Sequence, residues 1–254
     1  MKHRALIIAI IIFVISGSII MLYRATRPKG LVAFVIDDWG YNKRYVELVS
    51  EIDRPLTISI LPDLHYSKYI TEEIKKNAEK CDIILHLPLE SKSNIAAELN
   101  TIRSSMKEDR IVSILDKSIE GIPGLIGVSN HQGSKATKDK GVMGIVLGEL
   151  KKRKLFFLDS LTAPDSVCSF IAHNIKLKYA RRDVFLDLTD QTDLEHFAAY
   201  IRGQIKELAN IAKQEGSAIG VGHNKKTTLE IIKEMIPELE GEGIRIVPLK
   251  TLVR

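Results

Sequence analysis

The chain has only two cysteines, Cys81 and Cys168, in 254 residues. That number is compatible with a fold that does not rely on disulfides; the sequence leaves open whether the two pair, and the plainest reading is two free buried thiols. Acids are missing from the first 30 residues, which carry Lys2, Arg4, Arg24, Arg27 and Lys29. The other 32 basic residues face 32 acidic ones, so the body is electrically balanced and has no basic footprint for nucleic acid. That balance, with the lack of a glycine-rich phosphate loop, argues against a phosphoryl-transfer or nuclease enzyme. Internal repeats and low-complexity tracts are also absent, and the length fits one large domain or two small ones.

One long apolar run is present. Ala5 to Leu22 is interrupted only by Ser16-Gly-Ser18, with Lys2, His3 and Arg4 before it and Arg24 after it. Its length reaches the lower edge of a membrane span and exceeds a usual signal-peptide core. Ser16-Gly-Ser18 is a poor cleavage signal because Ile19 to Leu22 continue the run, so residues 1–30 read best as an uncleaved membrane anchor with a short tether, with a cleaved signal peptide as the runner-up. Basic residues flank both sides, so the positive-inside rule does not settle orientation. A lone N-terminal anchor implies an exported body, on the periplasmic or extracellular face.

Residues 31–254 read as alternating strands and helices. Leu31-Val-Ala-Phe-Val-Ile36 is an apolar run that ends abruptly on Asp37 and Asp38, the pattern of a buried strand reaching the sheet edge. Further strands are expected at 56–61, 82–87, 125–129, 155–158, 176–180, 217–222 and 244–247. Helices are expected between them: one capped by Asn42, one opened by the Ser105–Glu108 capping box, one over about 165–174 and a long one over about 193–214. Residues 88–104 read as a long loop. This alternation implies a parallel sheet, best an irregular (β/α) barrel of about seven to eight strands behind one transmembrane helix, with an open doubly wound sheet as runner-up.

The polar residues gather in this scheme. Asp37, Asp38, His86, Asn130, His131, Asp159, Arg182 and His223 each follow an apolar strand run directly or within a residue or two. In a parallel sheet all of them lie on one rim, where α/β folds build their sites. Each alone is weak evidence, but one acid with two histidines is a common ligand set for zinc or a similar ion. A second acid can serve as base and a further histidine as acid. Trp39 reads as packing beside the site in preference to stacking on a sugar.

Six segments carry a resemblance: Ile36-Asp-Asp-Trp-Gly40, Leu85-His-Leu-Pro-Leu-Glu90, Gly127-Val-Ser-Asn-His-Gln-Gly-Ser134, Phe157-Leu-Asp-Ser160, Arg182-Asp-Val-Phe-Leu-Asp187 and Ala218-Ile-Gly-Val-Gly-His223. In order and spacing they resemble the divergent polysaccharide deacetylase family, a distant branch of the carbohydrate esterases that remove N- or O-acetyl groups. The resemblance implies an irregular (β/α) barrel, Asp37 as base, Asp38 as metal ligand and His223 as acid. The typical pair of metal-binding histidines four residues apart is matched here by His86 and Glu90. Either Glu90 replaces the second histidine or His131 reaches in from the next strand; His131 is preferred because it offers a neutral nitrogen that suits Zn²⁺. Glu90 then becomes a substrate or supporting residue, Asn130 and Arg182 position substrate, and Asp159 and Arg182 do the orienting work of typical motifs that are not evident here.

The expectation is a metal-dependent hydrolase that removes acetyl groups from a cell-envelope polysaccharide or a related amide or ester. The alternative is a membrane-anchored barrel that binds glycan or protein without turnover.

Overall fold

The computed structural model describes residues 27–93 and 97–254. The expected membrane anchor lies outside the described residues; among those described, no helix is long and apolar enough to cross a membrane.

Among the described residues, nine strands form one all-parallel sheet: β1 (Gly30–Trp39), β2 (Thr57–Ile60), β3 (Asp82–Leu89), β4 (Gly127–Gln132), β5 (Phe156–Asp159), β6 (Tyr179–Arg181), β7 (Val184–Phe185), β8 (Ser217–His223) and β9 (Ile244–Ile246). Seven α-helices among the described residues accompany them: α1 (Val46–Ser50), α2 (Ser67–Asn77), α3 (Glu108–Glu120), α4 (Lys140–Lys152), α5 (Cys168–Ile175), α6 (Leu194–Glu215) and α7 (Lys226–Gly241). The hydrogen-bonded order is β6-β5-β4-β3-β2-β1-β8-β7, and β9 pairs with the start of β1. This is a parallel-strand α/β half-barrel, consistent with the expected (β/α) barrel. The two edge strands, β6 and β7, are consecutive in the chain. Arg182 N–H donates to Asp159 O (2.9 Å) and Asp183 N–H to Ile219 O (2.9 Å), so a single segment leans first on β5 and then on β8.

Period-two alternation divides the core. On β1, Val32, Phe34 and Ile36 join the large cluster that the helices also enter, through residues such as Ile70, Ile114, Val146, Leu208 and Ile232. Ala33 and Val35 join a smaller cluster with Ile84, Phe156, Leu158, Ile219, Val221 and Leu249, on the inner face of the curved sheet. The sheet therefore has an apolar floor on the side away from the helices. Trp39 is fully buried in the large cluster and packs beside the site.

The helices begin where local chemistry allows. Asp139 caps α4 by accepting from Gly141 and Val142 N–H, and Asp193 caps α6 by accepting from Glu195 and His196 N–H, which satisfies amides that the first turn leaves open. The expected capping box at Ser105 does not form. Helix α3 starts at Glu108 after an extended Lys107, and its first turn instead carries Glu108 and Asp109, whose charges suit the helix dipole. Asn42 likewise caps no helix: its Oδ1 accepts from Arg44 N–H, and α1 starts at Val46. Helix α5 starts three residues later than expected, at Cys168.

Helix α6 buries Ile201, Ile205, Leu208, Ala209 and Ala212 on one stripe. It crosses the start of β1 so closely that a side-chain carbon added at Gly30 would lie 2.5 Å from the Ala212 carbonyl oxygen. Gly30→Ala must push helix and strand apart, with an expected loss of about 1–3 kcal/mol of stability. Urea unfolding of the variant checks this; an unchanged midpoint would show that the contact has slack.

Candidate metal centre

The mouth of the half-barrel is set by what happens at the end of β1. Strict alternation would send Asp37 inward and Asp38 outward, as it does for Val35 and Ile36. Instead the β1–β2 register shifts between Ile36 and Trp39, and Asp38 adopts φ 65°. A left-handed backbone at a residue other than glycine is costly. It turns the Asp38 carboxylate back towards the mouth, where Asp37 already sits beside its register partner His223.

Two imidazoles meet Asp38 there. Asp38 Oδ1 lies 3.2 Å from His86 Nε2 and 3.1 Å from His131 Nδ1, and the two nitrogens are 3.2 Å apart. His86 occupies an inward position of β3 and His131 an inward position of β4, in line with Ile84 and Ser129. Donor atoms held by one zinc-sized ion at about 2.0–2.1 Å stand roughly 3.3 Å apart in a tetrahedral shell. The observed triangle has that size, and an acid with two histidines has the chemistry. Asp38, His86 and His131 therefore fit a divalent ion.

The charges agree. Burial opposes the charge on Asp38, yet the neighbouring imidazoles of His131 and His86 hold its carboxyl well below the usual carboxylate range. Burial pushes the Asp37 carboxyl up, with His86 opposing and Asp38 adding to the rise. Asp37 Oδ1 is buried, stands 3.6 Å from His86 Nδ1, and has no hydrogen-bond partner among the described residues. On the other side His223 Nδ1 lies 2.6 Å from Asp187 Oδ1. Burial lowers the His223 pKa, but the Asp187 carboxylate outweighs it, and the imidazole rises to about 8. Asp187 is itself fixed by Thr228 Oγ1–H (2.7 Å) and His223 N–H (3.0 Å). The His223 ring stacks on Phe185 with centroids 6.0 Å apart, and the Arg182 guanidinium covers Phe185 at 3.6 Å.

The remaining expected residues lie outside the ligand triangle. Asn130 and Asp159 fall on the outward alternation of their strands. Asn130 donates to Gln132 O and accepts from Ser160 N–H, each at 2.8 Å. Asp159 accepts from Leu161 N–H (2.8 Å), Ser166 Oγ–H (2.6 Å) and Tyr179 Oη–H (3.3 Å). Arg182 donates to Ser160 O (2.8 Å) and Leu161 O (3.2 Å). All three fasten the loop after β5. Glu90 stands outside the ligand triangle: it accepts from Ser104 N–H (2.8 Å), Ser104 Oγ–H (2.5 Å) and Lys135 (3.0 Å). Of the two candidates for the third corner, the structure brings His131.

Three residues escaped the sequence reading. Asp187 closes the apolar run Val184-Phe-Leu186 in the same way that His223 closes its own strand, so the strand-end rule would have found it. Ser59 and Ser129 carry the quieter signal of hydroxyls at inward positions of otherwise apolar strands. Ser129 Oγ lies 2.7 Å from His86 Nδ1 and 2.8 Å from Ser59 Oγ.

Burial raises the Glu90 pKa, but the bonds from Ser104 and Lys135 outweigh it and depress the carboxyl to about 2. A carboxyl held below its unfolded value stabilises the fold above that value and loses the contribution as pH falls through the depressed one. Glu90→Gln is expected to cost about 1 kcal/mol at pH 7, with the gap to wild type closing between about pH 4.5 and 2 and with metal affinity unchanged. Thermal unfolding across pH, beside a metal titration, checks both; a lost ion would return Glu90 to the ligand set.

Comparisons with known proteins bear on the fold and the family. The uncharacterised protein YibQ of Escherichia coli (strain K12) is 29% identical over 210 residues, which cover 83% of this chain and 63% of that one. The chain thus spans less than two thirds of that relative's length. The crystal structure of an uncharacterised protein of Agrobacterium tumefaciens shares the fold with a TM-score of 0.81 at 23% identity, covering 89% of this chain and 90% of that one. A family 4 acetyl xylan esterase of Clostridium thermocellum, solved in complex with a cobalt ion, is more distant, with a TM-score of 0.53 at 14% identity over 87% of this chain and 89% of that one. Residues 34–253 match the family described as divergent polysaccharide deacetylase, and the chain belongs to that family.

Proposed function

We propose that the protein is a metal-dependent deacetylase that hydrolyses acetyl amides or esters on a cell-envelope polysaccharide. The observation that carries this reading is the triangle of Asp38 Oδ1, His86 Nε2 and His131 Nδ1, with sides of 3.1–3.2 Å, beside a buried carboxylate oxygen of Asp37 that has no hydrogen-bond partner among the described residues. Family membership supports the glycan class.

A divalent ion held by Asp38, His86 and His131, with Zn²⁺ the best match to two imidazoles and a carboxylate, would supply Lewis acidity towards the acyl carbonyl and a water. The chain's own groups then divide the proton traffic. Asp37 Oδ1 accepts the proton of the attacking water, and the raised pKa of this carboxyl makes it a stronger base than an exposed aspartate. Water oxygen adds to the acyl carbon, and the bond from that carbon to the sugar nitrogen or oxygen breaks. His223, charged below about pH 8 and oriented by Asp187, delivers a proton to the leaving amine or hydroxyl. Acetate is the other product. Phe185 and Arg182 back the His223 ring and limit its swing.

Purified full-length protein is expected to bind one equivalent of zinc or cobalt and to release acetate from acetylated chitin oligomers, peptidoglycan fragments or xylan. Asp38→Ala and His131→Ala should lose the ion, and Asp37→Ala should keep it while losing activity by about 10²–10⁴-fold. Calorimetry and acetate release read these outcomes. Failure of the wild type to bind either metal would overturn the reading, and metal binding with glycan affinity but no acetate would leave a binding module.

The pH profile tests the acid separately. Activity should fall as pH rises through about 8, where His223 loses its proton. Asp187→Asn removes the charge that favours the imidazolium, so the alkaline limb should move to lower pH and kcat should drop. A limb that stays in place in this variant would exclude His223 as the acid.

A further inference from the structure

We propose that Tyr41 is a sugar-stacking platform: its exposed ring receives a pyranose unit of the glycan beside the metal centre, and Glu98 holds the ring in place. The proposal deepens the deacetylase reading, on which it rests for the glycan class, and names the side of the mouth on which the polymer lies.

Tyr41 comes three residues after Asp38, so its backbone stands within about 11 Å of that ligand. Between them Trp39 turns into the core and is fully buried, whereas Tyr41 is 49% exposed. An exposed tyrosine alone means little. This one is set apart by how it is held. Gly40 seats the turn on the loop after β2: its φ is 131°, a side-chain carbon there would lie 2.9 Å from Leu64 Cδ1, and Gly40 O accepts from Tyr66 N–H (3.2 Å). At the far end of the ring, Tyr41 Oη–H donates to Glu98 Oε1, in the segment between β3 and α3. Glu98 is fixed in turn, because its carbonyl accepts from Thr101 N–H (3.2 Å) and Thr101 Oγ1–H (2.7 Å). Asn100 Nδ2 donates to Asp63 Oδ2 (2.8 Å) and ties the same segment to the loop after β2. Both residues have a left-handed backbone, with φ 61° and 58°. Three loops of the rim are thus fastened to one another, and the apolar surface they leave in solvent is the Tyr41 ring and the side chain of Leu99.

The chemistry of this surface matches a sugar. One face of a pyranose presents C–H bonds, which pack on an aromatic face, while its edge carries hydroxyls that need polar partners. Tyr41 supplies the face. The carboxylates of Glu98 and Asp63 and the amide of Asn100 stand at its edge with bonding capacity left over, since an ionised carboxylate has about four acceptor sites. A ring already anchored by its hydroxyl loses little freedom when a ligand lands on it, so less of the contact energy is offset by ordering.

The test uses full-length protein and direct binding of chitin oligomers, peptidoglycan fragments and xylan fragments, so it needs no turnover. In protein carrying isotope-labelled tyrosine, the ring signals of Tyr41, identified by their absence in Tyr41→Phe, should move when one of these glycans saturates the protein. By calorimetry, Tyr41→Ala should weaken binding of that glycan about 10-fold, and Tyr41→Phe about 3-fold. Glu98→Ala should lose at least as much as Tyr41→Phe, and adding Tyr41→Phe to it should cost nothing more, because both cut one bond. Unmoved ring signals at saturation, or undiminished affinity in Tyr41→Ala, would overturn the proposal, as would a wild type that binds none of the three glycans. Should Tyr41→Ala fail to fold, the ring signals decide alone. Binding through Tyr41 without metal uptake or acetate release would defeat the deacetylase reading and leave this platform standing. Acetate release from a glycan that Tyr41→Ala binds unchanged would do the reverse.

Discussion

The site depends on one backbone distortion. A strand offers consecutive residues to opposite faces, so two neighbouring aspartates cannot both serve a single mouth while β1 stays regular. The register shift and the left-handed Asp38 resolve that conflict. The cost of the distortion is offset by the rest of β1, which is held by β8 over seven register pairs and by β9 at its start. A stiff strand thus carries a strained tip, and the strain falls on a residue whose carboxylate takes part in the site.

Around that tip the protein separates two environments. The floor of the half-barrel is apolar, and the helices seal its outer face. The polar groups at the mouth therefore meet little water from below, and their pKa values move in opposite directions: Asp37 up, Asp38 down, His223 up. Two adjacent carboxyls are pushed apart because burial dominates at Asp37, where the imidazoles of His86 and His223 oppose it only in part, whereas hydrogen bonds from His131 and His86 outweigh burial at Asp38. Divergence of neighbouring titratable groups is what the proposed division into base and ligand requires.

Much of this was legible in the sequence, and the limits have physical causes. The abrupt end of an apolar run on a polar residue located Asp37, Asp38, His86, His131 and His223, because a buried strand cannot carry charge until it leaves the core. The same rule also selected Asn130 and Asp159, which end strands equally abruptly but fall on the outward face. Strand ends alone do not say which of two successive residues faces inward; counting alternation back to the core residues does. Glu90 depended on a bend in the chain after β3 that no local pattern records, since Ser104 and Lys135 reach it from distant positions. Ser59 and Ser129 were invisible to a search for charged groups, although a hydroxyl in an otherwise apolar strand is itself a signal. The expected Asn42 cap and Ser105–Glu108 capping box failed for a simpler reason: side chains that can cap a helix are common in loops, and α1 and α3 begin at Val46 and Glu108 without a side-chain cap.

The join between β6 and β7 has a consequence for how this architecture can diversify. Elsewhere around the sheet, neighbours are locked by ladders, so added residues would have to be absorbed in both partners' registers. At Arg182-Asp183 the neighbours are joined by the chain itself, and their hydrogen bonds run outward to β5 and β8. Residues inserted there would lengthen the circumference without misaligning any paired strand. The spacing between the β5 loop and the His223 side is therefore the dimension that a lineage can tune most freely, and with it the width of the opening.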